Sequence, residues 1–346
     1  MSSGPVMSQI LAEFSRSIAG MDVTPLWERE AGAMSPGTKC VPQFWRYSDL
    51  RPSLMKSIEL ISKRDAERRV LVLENPSLRG TTYITNTLYA GLQVIAPGEI
   101  APSHRHTPNA LRFVIEGQGA YTSVDGERVV MHPGDFIVTP NWTWHDHGNL
   151  GTAPVVWLDG LDTPFGKMFG SMFREDLDQE SQLVTREEGE ALASFGSNML
   201  PVDYVPGAAH TPILKYPYDR TREALARLST AGRFNPAQGA KLRYVNPATG
   251  KYPFSTMAVF MQMLPSGFEG KSYRSTDGTV FVVVEGEGTF TIGGHRYEFG
   301  VHDIFVAPPW EAYNLSASSE TVLFSYSDRA AQDALGFWKE ELVTNV

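Results

Sequence analysis

At 346 residues the chain holds enough apolar sequence for one large domain or two ordinary ones. Its formal net charge of −9 excludes a broad nucleic-acid or anionic-membrane surface, because either would need a basic face. A single cysteine, Cys40, excludes an internal disulfide and thiolate metal sites, and reads as an ordinary buried thiol in a reducing compartment.

In chain order, Ile10, Leu11, Phe14 and Ile18 recur at helical spacing between Val6 and Ala19. No basic segment followed by a long apolar run precedes or follows them, so the expectation is a cytoplasmic chain with no membrane span. A Pro- and Trp-containing extended stretch, Pro25 to Trp45, comes next. Ser53 to Arg68 predicts a helix with Leu54, Ile58 and Ile61 on one face, ahead of the strand-like Val70 to Leu73. Residues 1–80 are therefore expected to form a helical and extended arm. From 81 to 162 the texture is short β-rich pieces divided by Gly, Pro and Asp turns, the pattern of a sandwich or small barrel. Residues 163–254 read as connector and cap, with a capping box at Thr185-Arg186-Glu187-Glu188 and a short helix from Thr221 to Leu228. The β texture returns over 255–327. A closing amphipathic helix is expected over 328–346, carrying Leu335, Phe337, Trp338 and Leu342.

The second β region repeats the first. Leu92-Gln93-Val94-Ile95 matches Met261-Gln262-Met263-Leu264, and Val114-Ile115-Glu116-Gly117 matches Val283-Val284-Glu285-Gly286. Gly134-Asp135-Phe136-Ile137-Val138 is answered by His302-Asp303-Ile304-Phe305-Val306. Within this frame His104, His106 and His145 of the first copy stand opposite Tyr273, Ser275 and Tyr313. All three histidines are lost together while the turns are kept, as expected if they serve one purpose. That purpose is metal binding: imidazole is the commonest protein metal ligand, and two-residue spacing puts His104 and His106 on one face of a strand. Three neutral imidazoles could hold zinc with one water, or iron, manganese, nickel or copper with several open positions. Ala110 and Leu111 stand where a fourth ligand from the same strand region would be, so none is supplied.

Strand alternation brings further groups to this face. Arg112 lies an even number of residues from His106 in an otherwise apolar run, and a guanidinium there suits a carboxylate. His147 alternates onto the face of His145, where it can orient a ligand or move a substrate proton. Gln93 and Asp159 are polar residues in apolar strands. His132, His210, His295 and His302 fall outside the cluster and read as solvated.

These stretches carry a family likeness. Gly98 to His106 and Pro133-Gly134 to His145 resemble the two cupin motifs, and the duplication resembles a bicupin. Leu88 to Gln93, Pro102 to Thr107, Ala110 to Phe113 and Trp157 to Asp162 resemble the gentisate 1,2-dioxygenases, as do Pro25-Leu26-Trp27 and Arg68 to Leu71. The resemblance implies a mainly β bicupin, two jelly-roll β-barrel domains, with an Fe(II) cofactor on His104, His106 and His145. It implies a cytoplasmic ring-cleaving enzyme, typically a homotetramer, acting on an aromatic carboxylic acid and O2. Gln93, Arg112, His147 and Asp159 would contact substrate, with Arg112 orienting the carboxylate and His147 assisting proton loss from the hydroxyl. Tyr89 stands where salicylate-cleaving relatives tend to carry Trp, which favours gentisate over salicylate or 1-hydroxy-2-naphthoate. Rival readings are a non-catalytic bicupin that binds a small acid and a zinc hydrolase, the latter without an evident carboxylate base.

Overall fold

A computed structural model describes residues 5–28, 36–62, 68–205 and 210–343. The chain forms two compact units, residues 1–36 and 37–346. The first contains helix α1 (Pro5–Ile18), whose Phe14 stacks on Trp27 with ring centroids 6.1 Å apart. Among the described residues no helix is long and apolar enough to cross a membrane.

The second unit is a tandem repeat longer than the strand texture alone suggests. Its first copy runs β1 (Gln43–Trp45), α2 (Tyr47–Leu60), β2 (Arg69–Val72), β3 (Tyr89–Ile95), β4 (Ile100–His106) and β5 (Ala110–Glu116). It continues through β6 (Ala120–Val124), β7 (Glu127–Val130), β8 (Phe136–Thr139), β9 (His145–Asn149) and β10 (Val155–Leu161) to α3 (Thr163–Met168) and β11 (Arg174–Asp176). After α4 (Glu190–Phe195) the second copy follows the same order, with β12 (Lys215–Tyr216), α5 (Tyr218–Thr230), β13 (Ala240–Arg243) and β14 (Ala258–Leu264). Then come β15 (Phe268–Glu269), β16 (Tyr273–Ser275), β17 (Thr279–Glu285), β18 (Gly288–Ile292) and β19 (His295–Phe299). β20 (Ile304–Ala307), β21 (Tyr313–Ala317), β22 (Thr321–Ser327), α6 (Arg329–Leu335) and β23 (Glu340–Leu342) complete it.

Each copy builds two facing sheets that stay separate. In the first lobe they run β12-β8-β5-β10-β3-β2 and β11-β4-β9-β6-β7. In the second they run β1-β20-β17-β22-β14-β13 and β19-β18-β21-β16-β23, with β15 also on β21. The copies exchange their first strands: β1 of the first copy pairs with β20, and β12 of the second pairs with β8.

Several sequence expectations are corrected by this arrangement. Within the expected arm, Gln43–Trp45 and Arg69–Val72 pair into the large sheets, and the 163–254 stretch is largely the end of one copy and the start of the next. The second helix starts at Tyr47, ahead of Pro52, and ends at Leu60; residues 63–67 lie outside the described residues. Thr185 caps nothing. Helix α4 starts after Gly189, and the buried Glu127 accepts the N–H groups of Gly189 and Ala191 at 3.1 and 3.0 Å. The closing helix stops at Leu335, because Gly336 takes a left-handed φ of 73°, and the chain then pairs as β23 along β16.

Period-2 alternation assigns the two faces of each large sheet. Leu111, Phe113 and Ile115 of β5, Leu92 and Val94 of β3, and Val156 and Leu158 of β10 join one core with Val280, Val282, Val322, Phe324 and Val259 of the second lobe. The large sheets thus bury these faces in a common layer, with Phe113 stacked on Phe324 at 4.1 Å. The opposite faces point into the lobe interiors: Ile95, Val114, Ile137 and Trp157 in the first, and Phe281 and Phe305 in the second, where they meet Phe290 and Tyr313 of the small sheet.

The exchanged helices are anchored reciprocally. Tyr47 N–H at the start of α2 donates to Asp303 Oδ1 at 2.8 Å, and Tyr218 N–H at the start of α5 donates to Asp135 Oδ1 at 2.9 Å. The second oxygen of each carboxylate holds its own turn, through Gly300 N–H for Asp303 and His132 N–H for Asp135. Asp303→Ala strands the buried Tyr47 N–H and the part-buried Gly300 N–H, and is expected to lower stability by about 1–3 kcal/mol, with Asp303→Asn less severe. Urea denaturation checks this. Because the lobes share one core the loss should displace a single transition; two transitions of which one alone moves would show that the exchange does not couple the copies.

Candidate active site

Strands β4 and β9 lie antiparallel in the small sheet of the first lobe, with His104 directly opposite His145 after a register shift between Ala101 and His104. Alternation puts His106 beside His104 and His147 beside His145 on the interior face. The ligand atoms of His104, His106 and His145 lie within 4.8 Å of one another. Their ring centroids are 4.2 Å apart for His104 and His145, 4.8 Å for His106 and His145, and 5.2 Å for His104 and His106.

Backbone carbonyls fix two of the rings. His106 Nδ1 donates to Pro108 O at 2.8 Å and His145 Nδ1 to Thr143 O at 2.9 Å, which leaves each Nε2 with its lone pair. His145 Nε2 is buried without a partner, an orphan that suits a ligated ion. Arg68 Nη2 lies 2.7 Å from His104 Nδ1 and also donates to Pro102 O at 3.0 Å. A guanidinium can only donate, so this ring holds the opposite tautomer. Ligation through Nε2 requires it to turn over or Arg68 to withdraw. Burial, then the Arg68 charge, lowers His104 to about 2, and burial lowers His106 to about 4. His145 and His147 are also driven well below the ordinary range by burial. All four rings are neutral near pH 7. Three neutral nitrogen donors and no carboxylate fit a divalent ion with open coordination positions.

The large sheet contributes the opposite wall. Arg112 and Asp159 are register partners on β5 and β10, both buried. Arg112 Nη1 donates to Thr139 Oγ1, and Nε lies 3.2 Å from Asp159 Oδ1 without hydrogen-bond alignment. Nη2 makes no hydrogen bond among the described residues, so one prong of the fork faces the interior in place of two. Trp157 Nε1 donates to Asp159 Oδ1 at 3.1 Å. Burial raises the Asp159 carboxyl, an effect opposed by Arg112; burial lowers Arg112 to about 10, again opposed by the pair. Arg112 is among the charges that depress all four histidines, which places its guanidinium beside them.

His147 faces Thr122 Oγ1 at 2.9 Å through Nδ1, and that hydroxyl donates to Met131 Sδ at 3.4 Å. With its proton on sulfur, the hydroxyl accepts Nδ1–H, and the buried, unpartnered Nε2 is left as an acceptor. Gln93 is buried on the interior face of β3, the face opposite Leu92 and Val94. The Tyr89 hydroxyl lies over Gly91, where a Cβ would meet it at 2.7 Å and Val70 Cγ1 at 2.6 Å. Burial and the Asp159 charge both raise the Tyr89 phenol.

A cupin-domain family model matches the chain twice, at residues 91–160 and 259–325. Over 338 residues the chain is 46% identical to gentisate 1,2 dioxygenase 1 of Aquipseudomonas alcaligenes, covering 97% of each. The chain belongs to the gentisate 1,2-dioxygenase family of cupins. It is accordingly a ring-cleaving dioxygenase. This family also includes a 1-hydroxy-2-naphthoate 1,2-dioxygenase of Nocardioides sp., 35% identical over 96% of this chain and 87% of that one. Its fold matches the salicylate 1,2-dioxygenase of Pseudaminobacter salicylatoxidans with a TM-score of 0.88 at 33% identity, over 96% of this chain and 97% of that one. A structure of that enzyme's adducts with gentisate matches at 0.89 and 33%, over 100% and 96%.

Family membership excludes the non-catalytic reading, and the second lobe holds rings where the first has its histidine cluster. Opposite Arg112, Thr122 and His145 it places Phe281, Phe290 and Tyr313, with ring centroids 5.8 Å apart for both Phe281 and Phe290 against Tyr313. Tyr273 sits 5.7 Å from Tyr313 and donates to Glu340 at 2.7 Å. Rings fill that interior. Sequence reasoning singled out each interior residue except Arg68, Thr122 and Thr139. His132 is exposed and outside the cluster, as expected.

The neutral rings have a stability consequence. Unfolded imidazoles take protons near pH 6.5, whereas folded His104 and His106 refuse them down to about 2 and 4. Stability of the metal-free protein should therefore be full above pH 6.5 and fall as pH drops toward 4, on the order of 1.4 kcal/mol per pH unit for each ring. Denaturant midpoints of the chelated protein at pH 7.5 and 5.5 read this; equal midpoints would mean that the rings accept protons in the fold.

Proposed function

We propose that the chain is an Fe(II)-dependent gentisate 1,2-dioxygenase, cleaving 2,5-dihydroxybenzoate between C1 and C2 with O2 to give maleylpyruvate. The observation that carries this is a neutral three-histidine cluster faced by a buried guanidinium and a fourth imidazole, outside the cluster, whose Nε2 is an acceptor. His104, His106 and His145 would hold the iron, which when bound supplies Lewis acidity toward the substrate hydroxyl and the redox chemistry with dioxygen.

The protein's own groups then act on the organic acid. Arg112, through Nη2, takes a carboxylate oxygen, and Arg68 brings a second guanidinium beside His104 on the facing wall. His147 Nε2 is an acceptor and its ring is neutral, so it can receive the proton of the 2-hydroxyl and hold it away from the ring being cleaved. Asp159 keeps Arg112 charged in a buried site, and its Oδ2 is the acceptor left for the 5-hydroxyl. Gln93 offers an amide on the same face, and Tyr89 closes the wall beside Asp159. The identity to a gentisate-cleaving relative and the Tyr at position 89 support gentisate over salicylate.

Oxygen uptake by the iron-loaded protein should be fastest with gentisate, and much slower with salicylate and 1-hydroxy-2-naphthoate. A preference for an acid lacking the 5-hydroxyl would sink this assignment. Chelation or His106→Ala should abolish uptake, with Fe(II) restoring only the wild type. Arg112→Lys keeps the charge but loses the fork geometry, and should lower kcat/KM by about 10–100-fold, the equivalent of one charge-assisted hydrogen bond.

A further inference from the structure

Beside the ring-filled interior of the second lobe, the β13 edge opens on a cavity of about 450 Å³. Arg233, Lys241, Arg243 and Arg329 all line it, a concentration of positive charge on a chain whose net charge is −9. Two of the four are already engaged. Arg329 lies 3.6 Å from Asp333 with its guanidinium 3.5 Å from the Trp338 ring centroid, and Arg243 donates to Gly250 O at 3.3 Å. The other two have no hydrogen-bond or ion-pair partner for their charge among the described residues. Half-buried Lys241 packs its ammonium 4.5 Å from the Phe260 ring and makes no hydrogen bond or ion pair among the described residues. Arg233 has no side-chain partner among them either. A half-buried ammonium resting on a ring face is poorly solvated, and burial lowers Lys241 to about 8 although Asp277 opposes the shift. Nearby, Asn235 turns Oδ1 to the N–H groups of Ala237 and Gln238, which leaves its amide hydrogens as donors toward the cavity. Next to Lys241 across the strand pair, Gln262 Oε1 is buried and unpartnered.

We propose that this cavity binds a small organic dicarboxylate between Lys241 and Arg233, the charge class that the ring-cleavage reaction generates. Two unpaired cations match two negative charges, and a single inorganic ion would leave most of the volume unfilled. Cleaving the C1–C2 bond of an ortho-hydroxy acid turns C2, with its hydroxyl oxygen and one oxygen atom from O2, into a second carboxylate. C1 takes the other oxygen atom as a keto group beside the first carboxylate. A monoanionic substrate therefore leaves as a dianion. The choice of a dicarboxylate rests on the gentisate reading; the cationic cavity does not.

The test is calorimetric titration of maleate into the full-length, iron-loaded protein at constant ionic strength, alongside oxygen uptake with gentisate. Maleate should bind the wild type and Arg112→Lys alike. Lys241→Met should weaken binding at least ten-fold with oxygen uptake unchanged, and the exposed Arg233→Gln, which carries no folding risk, should weaken it several-fold. Binding that survives both substitutions, or that phosphate displaces as readily as maleate does, overturns the proposal. Loss of binding in Arg112→Lys alone would assign the heat to the first lobe and overturn it equally. Oxygen uptake with gentisate scores the enzymatic reading separately, because neither Lys241 nor Arg233 touches that site.

Discussion

The burial of one large sheet against the other is the constraint on which the rest of this molecule depends. Every strand of these sheets has one face committed to the shared layer, so its alternate residues are forced into a lobe interior. In β5 the commitment of Leu111, Phe113 and Ile115 to the shared core is what turns Arg112 inward. A one-residue slip would bury the guanidinium between the sheets, where no carboxylate waits, and expose Phe113 to the pocket. Register is therefore set by the most apolar interface in the chain, and the site inherits its geometry. The exchanged strands and the carboxylate-anchored helices hold the same interface at its edges, since Asp135 and Asp303 each fasten a helix belonging to the other copy.

Inside the first lobe the electrostatics follow from burial. Desolvation disfavours every charge, which keeps four imidazoles neutral and their lone pairs available, and leaves Arg112 as a cation that needs Asp159. The pair is less than ideal as a salt bridge: Nε is near the carboxylate but misaligned, and the carboxylate is shared with the Trp157 indole. Under the proposed function that imperfection has a use. A guanidinium fully satisfied by Asp159 would have nothing to offer an incoming acid, whereas one tethered by Thr139 and faced by a carboxylate keeps its position and retains a free prong.

Much of this was legible in the sequence, for reasons that can be named. The candidate ligand cluster is legible because the chain carries its own control: the second copy keeps the turns around Asp303 and Gly286 but has Tyr273, Ser275 and Tyr313 where the first has histidines. Period 2 then sufficed to place Arg112 and His147. The exchanged strands were not legible, because β1 and β12 are two or three residues long and too short to show a period. The ends of the repeat were misread for a related reason. Phe337, Trp338 and Leu342 fall at helical spacing, but Gly336 reverses the backbone, and only the pairing of β23 with β16 reveals an edge strand. Arg68 escaped because its contact with His104 is tertiary, and Thr122 and Thr139 because a hydroxyl in a strand looks like any half-buried residue.

The two lobes show what a catalytic interior demands of its neighbours. Replacing a buried ionic network with packed apolar groups is often neutral or stabilising, and the second lobe has apolar residues at most of the matching positions: Phe281 for Arg112, Phe290 for Thr122, Ala307 for Thr139 and Leu315 for His147, with a buried Ser325 opposite Asp159. Its stacked Phe281, Phe290 and Phe305 have no charge to desolvate. Because the two large sheets bury one shared core, packing in the second lobe backs the sheet that carries the polar interior of the first. The second lobe is then no relic of duplication. It is the apolar partner in the shared layer, and its sheet keeps Arg112 facing the histidines of the other copy.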